Sequence, residues 1–282
     1  MAVGSVLNQG ASQSRLTELN RETSSALRRL SAGQRVTRAA DDGAALSISA
    51  ALQSDRDTTR QAINNIQSGM SVLRTAEGGL DQIGNLISRA KELAVQGAGP
   101  VLDPSAREGI QAEINSIKSE ISRIATVTEF NGQNLLDGSL APSSQNGITV
   151  QVGINNSSSD RISLNAINGA TTEQLGLSSL DVSSAESAAR SIDLLDRVAN
   201  SLGTERAGIG ALQNRFEAAA SNLGISSENL LASIETVSGL DVPAEASRLE
   251  RNKTIQSVSV AVQKKGDYLN KHLVGELLDT KI

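Results

Sequence analysis

The apolar residues of this chain recur with a seven-residue period in five separate segments, and no other feature of the sequence constrains the fold as strongly. In the first segment the spacing alternates between three and four residues, at Leu16, Leu19, Thr23, Ala26 and Leu30. This spacing puts the side chains on one face of an α-helix and is typical of a coiled-coil seam. The sequence therefore predicts long helices that each offer one apolar stripe to a partner.

Four further stripes follow, at residues 63–93, 110–124, 195–230 and 255–273. A single helix over residues 185–238 would be about 80 Å long, which exceeds the packing surface that a compact domain of this size offers. The chain has only two Phe and one Tyr and lacks Trp, so a thick core rich in aromatic side chains is not expected. These features predict an elongated molecule with narrow seams between its helices.

The period changes from seven to two between the third and fourth helical stripes. Apolar residues alternate with polar residues or glycine at Ile148, Val150, Val152 and Ile154. Two further apolar positions follow after a run of Ser and Asn. Strict alternation is typical of a half-buried strand. We therefore predict two short strands, forming a β-hairpin region at about 145–176.

The order of these segments predicts a mainly α fold in which the chain runs out, turns over at the strands and returns. Such a chain forms an elongated hairpin of long heptad helices, and its N- and C-terminal helices pair as a coiled coil. Asp41, Asp42 and Gly43 mark one joint, and Pro243 marks another.

Several classes of function are disfavoured by residues that the chain lacks. It has no Cys and a single His, His272, so neither a thiolate metal site nor a catalytic triad is expected. Asp41 and Asp42 are adjacent, but no His or Lys lies near them in the sequence to tune acid–base work. We interpret that pair as a joint or helix cap. The sequence therefore predicts no enzyme, no catalytic or metal-binding residue and no cofactor.

The N-terminal segment bears on two further classes of function, nucleic-acid binding and membrane attachment. Six Arg stand against two Glu in the first 40 residues. They spread along a helical pattern without aromatic residues for base stacking, so nucleic acid is not expected as a partner. No apolar run approaches the roughly 18 residues of a membrane span, and the start lacks the basic and apolar regions of a signal peptide. We expect neither membrane insertion nor a cleaved signal.

Four motifs point to one protein family. Residues 27–36 read LRRLSAGQRV and residues 39–48 read AADDGAALSI. Residues 128–132, TEFNG, and 210–216, GALQNRF, lie on either side of the predicted hairpin. Together these motifs resemble bacterial flagellin, the subunit of the flagellar filament, and the resemblance covers residues 1 to about 262.

The resemblance implies a structural subunit that self-assembles into a helical filament used for motility. Residues 1–42 and 240–282 would form an inner coiled-coil domain, and residues 43–239 a rod-shaped outer domain. The resemblance further implies type III export to an extracellular filament, with an export chaperone, junction proteins and cap proteins as partners. The self-assembly seams would lie on the terminal stripes, at Leu16, Leu19, Leu27, Leu30, Ile255, Val258, Val262 and Leu269.

Two further sites follow from the sequence and the resemblance. In related flagellins, Toll-like receptor 5 of host innate immunity recognises positions that match Arg89, Leu93, Gln96 and Glu113. The ordinary alternative for these four residues is a contact within the helix or between subunits. A second site rests on two overlapping Asn-x-Ser patterns, which make the predicted outer loop a glycosylation candidate. That loop contains Asn155, Asn156, Ser157, Ser158 and Ser159.

Two other functions compete with a filament subunit. A hook–filament junction adaptor of the same superfamily shares the terminal helices but usually lacks this full set of N-terminal motifs. A coiled-coil signalling rod also has long heptad helices and few aromatic residues. The β region and the joints at Asp41 and Pro243 disfavour the signalling rod.

Overall fold

The computed structural model describes residues 2–141, 144, 147–165 and 167–279. Side chains are described from residue 12 onward, except at 269–271 and 273–279. The predicted mainly helical fold is confirmed, and one helix spans the predicted residues 185–238. The described residues form five helices, α1 (Ala2–Ala32), α2 (Ala39–Gly97), α3 (Pro104–Val127), α4 (Ala185–Ser238) and α5 (Val242–Asp279).

The helix ends coincide with the breaks that the sequence marks. Gly33 follows α1 with a φ of 66°, a left-handed conformation that glycine adopts at little cost when it ends a helix. The first turn of α2 is interrupted at Asp42, whose backbone is extended and whose Oδ1 accepts a hydrogen bond from the Ala45 N–H at 2.9 Å. Asp103 caps α3 in the same way, accepting from the Ala106 N–H at 2.6 Å. Asp42 therefore has the capping role expected of it.

Two short antiparallel strand pairs lie between α3 and α4. Strands β3 (Thr149–Gln151) and β4 (Arg161–Ser163) pair with Val150 opposite Ile162, which confirms the predicted hairpin region. Strands β1 (Glu129–Phe130) and β2 (Gln133–Asn134) form a second pair that the sequence did not reveal as strands. Asn131 and Gly132, both with positive φ, make the two-residue turn between β1 and β2.

The chain forms two compact units. Unit 1 comprises Met1–Ser54 with Asn229–Ile282, and unit 2 comprises Asp55–Glu228. Unit 1 contains the pairing of α1 with α5, which confirms that the terminal helices pair. Division of the chain at 42/43 and 239/240 remains a prediction.

The core of unit 2 lies between α2, α3 and α4 and follows the predicted stripes. All five isoleucines of the α3 stripe are buried, from Ile110 to Ile124. Phe216 on α4 is 0% exposed and belongs to the core, whereas Phe130 is 36% exposed and does not. Phe130 lies in the first strand of the β1–β2 pair, where both residues are exposed. On α2 the buried positions keep a seven-residue period, at Ile66, Leu73, Ala76, Leu80, Ile83, Ile87, Ala90 and Ala94.

Candidate assembly surfaces

The helices α1 and α5 of unit 1, called here the terminal pair, carry the residues predicted to form assembly seams. On α1, Leu16 and Leu19 are buried. Leu30 is half-buried, and Leu27 is exposed. The part of the α1 stripe near its middle is therefore covered within the chain, whereas Leu27 is available to another molecule.

The α5 stripe lies differently. Ile255 is half-buried, but Val258 is 56% exposed and Val262 is 65% exposed. The side chain of Leu269 lies outside the described residues. Because Val258 and Val262 are four residues apart, they lie on one helical face, and this uncovered face is called here the valine stripe.

Hydrogen bonds from polar side chains join α5 to α1. Leu249 is buried, and beyond it amide side chains of α5 form hydrogen bonds with α1. Gln256 Nε2 donates to Asn20 Oδ1, and Gln263 Nε2 donates to Gln13 Oε1 at 3.0 Å. The terminal pair thus combines the buried Leu16, Leu19 and Leu249 with amide hydrogen bonds, called here the polar seam, while Val258 and Val262 remain uncovered.

This polar seam was missed by the sequence reasoning, although the sequence contains a signal for it. Gln256 and Gln263 are seven residues apart on α5, as are Gln13 and Asn20 on α1. The apolar residues alone do not reveal polar residues that recur with the same seven-residue period. A buried polar atom also lies in the seam, because Thr23 Oγ1 has no hydrogen-bond partner among the described residues.

The two segments that link the helices of unit 1 are joined to each other. Gln34 forms an isolated β-bridge with Gly239, and the Arg35 N–H donates to the Ser238 carbonyl at 2.8 Å. The Arg35 guanidinium also donates to the carbonyl of Val237 at 2.8 Å. These bonds hold the segment after α1 against the end of α4.

Asp41 and Asp42, at the first joint, form different hydrogen bonds. This agrees with the joint and capping role expected of the pair. Asp41 Oδ2 accepts from the Thr37 N–H at 3.2 Å, the Thr37 hydroxyl at 3.0 Å and the Arg38 N–H at 3.1 Å. These bonds, those from Thr37 above all, lower the pKa of Asp41 below its ordinary value. Asp42 is engaged separately as the cap of α2.

Three of the four residues matched to receptor recognition lie on the surface of unit 2. Arg89 Nη2 donates to Glu113 Oε1 at 2.8 Å, and Arg89 Nη1 donates to Glu92 at 3.1 Å. Glu113, followed by Glu92, raises the pKa of Arg89 above its ordinary value. Gln96 is exposed, but Leu93 is only 3% exposed and packs in the core. A partner on this surface would touch the polar residues and not Leu93.

The candidate glycosylation loop joins β3 to β4 and is largely exposed. Asn155 and Asn156 are exposed, as are Ser158 and Ser159, while Ser157 is half-buried. The Asn156 side chain accepts a hydrogen bond from Arg161. Attachment of a sugar at Asn156 would therefore compete with this bond, whereas the Asn155 side chain has no hydrogen bond within the described part of the chain.

Neither a metal centre nor a membrane anchor is evident in the described ranges. None of their helices has both the length and the apolar character needed to cross a membrane. Among the same residues, no three His, Asp or Glu side chains gather closely enough to hold a metal ion.

Long heptad helices, a terminal pair with a polar seam and an open valine stripe define a class of helical structural protein that associates with further molecules. Family models agree with this class. The model of the bacterial flagellin N-terminal helical region matches residues 5–141, and that of the C-terminal helical region matches residues 192–271. The chain belongs to the bacterial flagellin family, which is a family of structural proteins.

Relatives of known identity span nearly the whole chain. A flagellar filament 30.7 kDa core protein of Treponema maltophilum is 34% identical, over 84% of this chain and 85% of its own length. A flagellin of Bacillus subtilis is 31% identical, over 88% of this chain and 90% of its own length.

A solved structure supports the same family. The crystal structure of Bacillus cereus flagellin matches with a TM-score of 0.50 at 30% identity, covering 57% of this chain and 88% of that one. A Vibrio parahaemolyticus protein assigned to the flagellar hook-associated proteins matches with a TM-score of 0.59 and covers 71% of this chain and 100% of its own. Its identity is 13%, which shows a shared fold only.

Proposed function

We propose that this chain is the structural subunit of a bacterial flagellar filament and polymerises with copies of itself. The valine stripe is the observation that carries this proposal. An apolar helix face that the chain does not cover itself gains stability when another molecule covers it. A contact between unlike surfaces of successive copies, repeated without closing into a ring, generates an open helical filament.

The assembly seams belong to the terminal pair in this proposal. Leu16 and Leu19 support α1 from within the chain, while Leu27, Val258 and Val262 are exposed and face other copies. Ile255 borders the valine stripe, and Leu269 continues its spacing in the sequence. The pair then becomes fully ordered only when neighbours supply the missing apolar surface.

The domain division of the filament subunit is part of the proposal. Residues 1–42 and 240–282 form the inner coiled coil, and residues 43–239 form the outer rod. Support comes from the pairing of α1 with α5 within unit 1.

Seeded polymerisation tests the proposed function. Purified chain is added to sheared filament fragments, and electron microscopy follows filament length. We expect the full chain to elongate the seeds, and chains lacking residues 1–40 or residues 240–282 to leave them unchanged. Full chain that caps the seeds without elongating them would contradict the proposal, since that is the behaviour of an adaptor.

Export and accessory partners follow from membership of the family. We expect the chain to leave the cell through the flagellar type III conduit, to bind an export chaperone before export, and to contact junction and cap proteins at the filament ends. Loss of the chain from the culture medium of a strain without the export gate would support this route. Secretion that continues in such a strain would exclude it.

Recognition by Toll-like receptor 5 is proposed for the surface around the Arg89–Glu113 ion pair. Exposure of Arg89, Gln96 and Glu113 on unit 2 supports it, while burial of Leu93 limits that residue to positioning the helix. Monomer carrying Arg89→Ala is compared with Arg123→Ala, which breaks another exposed ion pair on α3. We expect only Arg89→Ala to lower the response of receptor-bearing cells, and equal responses would contradict the assignment.

Glycosylation of the β3–β4 loop is proposed at Asn155, with Asn156 and Ser157 to Ser159 as neighbouring candidates. Support comes from the exposed Asn155 side chain and its Asn-x-Ser pattern. Mass spectrometry of the chain from native filaments tests this. An unmodified peptide covering residues 150–165 would exclude the site.

A further inference from the structure

One charged side chain of the terminal pair is buried. Glu245, in the first turn of α5, is only 4% exposed. Its Oε1 accepts a hydrogen bond from Arg29 Nε at 2.8 Å and lies 2.5 Å from Arg29 Nη2. A single guanidinium from α1 therefore contacts the carboxylate through two nitrogen atoms. Arg248 Nη1 lies 3.7 Å from the second oxygen but is largely exposed. Arg29 is therefore the only group of α1 within reach of this carboxylate among the described residues.

A buried carboxylate that loses its partner is strongly destabilising, so the pair penalises an axial shift that removes Arg29 from Glu245. Sliding α1 by one helical turn, about 5.4 Å, would place Ser25 or Gly33 near Glu245 in place of Arg29. Sliding it by two turns in one direction would bring Glu22 opposite Glu245, which adds repulsion between like charges. Neither shift supplies another cation from the matching face of α1.

The other hydrogen bonds of the polar seam restrict the register of the two helices less. Asn252 Nδ2 donates to Glu22 at 3.2 Å, and Gln263 donates to Gln13 at 3.0 Å. Residue numbers fall along α1 as they rise along α5, so the helices are antiparallel. An amide both donates and accepts, and it can therefore find a new partner after a shift. A buried carboxylate needs a cation, and in the observed register Arg29 is the α1 side chain that pairs with Glu245.

We infer that Arg29 and Glu245 determine the partner and the register of the terminal pair, so that α1 selects the α5 of its own chain at one axial setting. The valine stripe, which lacks such a charge, is then left for other copies. Because the readout is filament growth, this inference rests on the proposed function. The two residues act by positioning the helices.

Charge exchange tests the inference in the full chain. Arg29→Glu places two carboxylates together, and Glu245→Arg brings a further guanidinium beside those of Arg29 and Arg248. We expect each single variant to raise the critical concentration for seeded growth at least about tenfold. The double variant R29E/E245R restores the ion pair within one chain, and we expect it to return to within about threefold of the unmodified chain.

A mixture of the two single variants distinguishes pairing within a chain from pairing between chains. If α1 of one copy met α5 of another, R29E chains and E245R chains would complement each other in the mixture. We expect no gain in the mixture. Growth of the mixture that equals growth of the double variant would overturn the inference, and so would a double variant that is no better than the single ones.

Matched controls separate this contact from net charge. Arg28→Glu and Glu250→Arg make the same charge changes at exposed neighbouring positions of the same helices. We expect the double variant R28E/E250R to show no rescue relative to its single variants, although its net charge is restored. Equal rescue in the control pair and the Arg29–Glu245 pair would overturn the inference.

A distance measurement reports the register without relying on growth rates. The chain has no Cys, so Thr17→Cys and Ser247→Cys give two unique spin-label sites on exposed faces of α1 and α5. Labelled chain is diluted into unlabelled filaments. We expect one sharp distance for the unmodified and double variants and a shifted or broadened distribution for E245R, and an unchanged E245R distribution would overturn the inference. Unmodified chain that never elongates seeds would instead contradict the proposed function.

Discussion

The backbone of Gly79 in α2 lies directly against the side chain of Leu136, so that a Cβ at Gly79 would sit 2.7 Å from Leu136 Cδ1. Thr128 Oγ1 would lie 2.8 Å from the same Cβ. One residue earlier, a Cβ at Gly78 would meet no atom within 4 Å. The segment after α3 thus packs on α2 more closely than any side chain at position 79 would allow.

Gly79→Ala is predicted to destabilise unit 2, and Gly78→Ala to stabilise it. Overpacking costs about 1 to 3 kcal/mol, which outweighs the gain of about 1 kcal/mol that alanine brings over glycine within a helix. Gly78→Ala keeps that gain without the clash. Urea unfolding followed by circular dichroism measures both variants. Equal midpoints for the two variants would show that the close approach at Gly79 has no energetic consequence.

The two phenylalanines are predicted to differ strongly in their contribution to stability. Phe216 is fully buried and its ring lies against Gly69 of α2, so Phe216→Ala should lower the free energy of unfolding by about 3 to 5 kcal/mol. Phe130 lies in an exposed strand, and Phe130→Ala should cost about 1 kcal/mol or less. Thermal unfolding compares the two. A similar loss for both would contradict the burial difference.

The segment that leads into α4 is predicted to make the stability of unit 2 sensitive to acid. The Ser183 N–H donates to Asp181 Oδ1 at 3.0 Å and the Ser183 hydroxyl to Oδ2 at 2.9 Å. The backbone bond from Ser183 is the largest of the causes that lower the pKa of Asp181. Because the pKa is lower in the folded chain, the stabilisation is complete above the unfolded pKa of about 3.9 and is lost as pH falls through the folded value.

Asp181→Asn should therefore be less stable than the unmodified chain at pH 7 and pH 5, and the difference should shrink below about pH 4. Urea unfolding at pH 7, 5 and 3 measures it. Asp193→Asn, on an exposed face of α4, serves as the control. A stability difference for Asp181→Asn that stays constant down to pH 3 would show that the Asp181 carboxylate is not the group responsible.

The valine stripe is predicted to act in assembly and not in folding of the single chain. Val258→Ser and Val262→Ser remove apolar surface that is exposed in the monomer, so thermal unfolding of unit 1 should be unchanged. Burial of one valine contributes about 1.5 kcal/mol, so each variant should raise the critical concentration for growth about tenfold. Val101→Ser, at a loop residue that is almost fully exposed, should leave growth unchanged. Growth of Val262→Ser equal to that of Val101→Ser would remove the valine stripe from the assembly mechanism.

Much of the fold could be predicted because its information is local. The period of Ile110 to Ile124 depends only on the geometry of one helix, and all five isoleucines of that stripe are buried as predicted. The alternation at Val150 similarly predicted the β3–β4 hairpin. The β1–β2 pair escaped prediction because its strands have two residues each, too few for any period to be visible.

The candidate sites were harder to predict than the fold, because residue type does not reveal what covers a side chain. Leu93 and Arg89 belong to one helix and one predicted recognition site, yet Leu93 packs in the core and Arg89 pairs with Glu113 on the surface. Ile255 and Val262 share the apolar spacing of α5, yet Ile255 is half-buried and Val262 is exposed. Leu249 is buried, and it lies seven residues before Gln256, on the face that carries the amides. A periodic apolar stripe shows that a helix has a face suited to packing. It does not show which helix or which molecule covers that face.

The sequence by itself determined that this chain forms long helices with joints near Asp41 and Pro243, because helix periodicity and end signals depend on residues within a few positions of each other. Only the tertiary structure decided which face of α5 meets α1. That choice depends on Arg29 reaching Glu245 across 216 positions of chain. A seam is selected by the total free energy of the packed pair, in which a buried carboxylate that needs its cation outweighs apolar surface that another copy can cover.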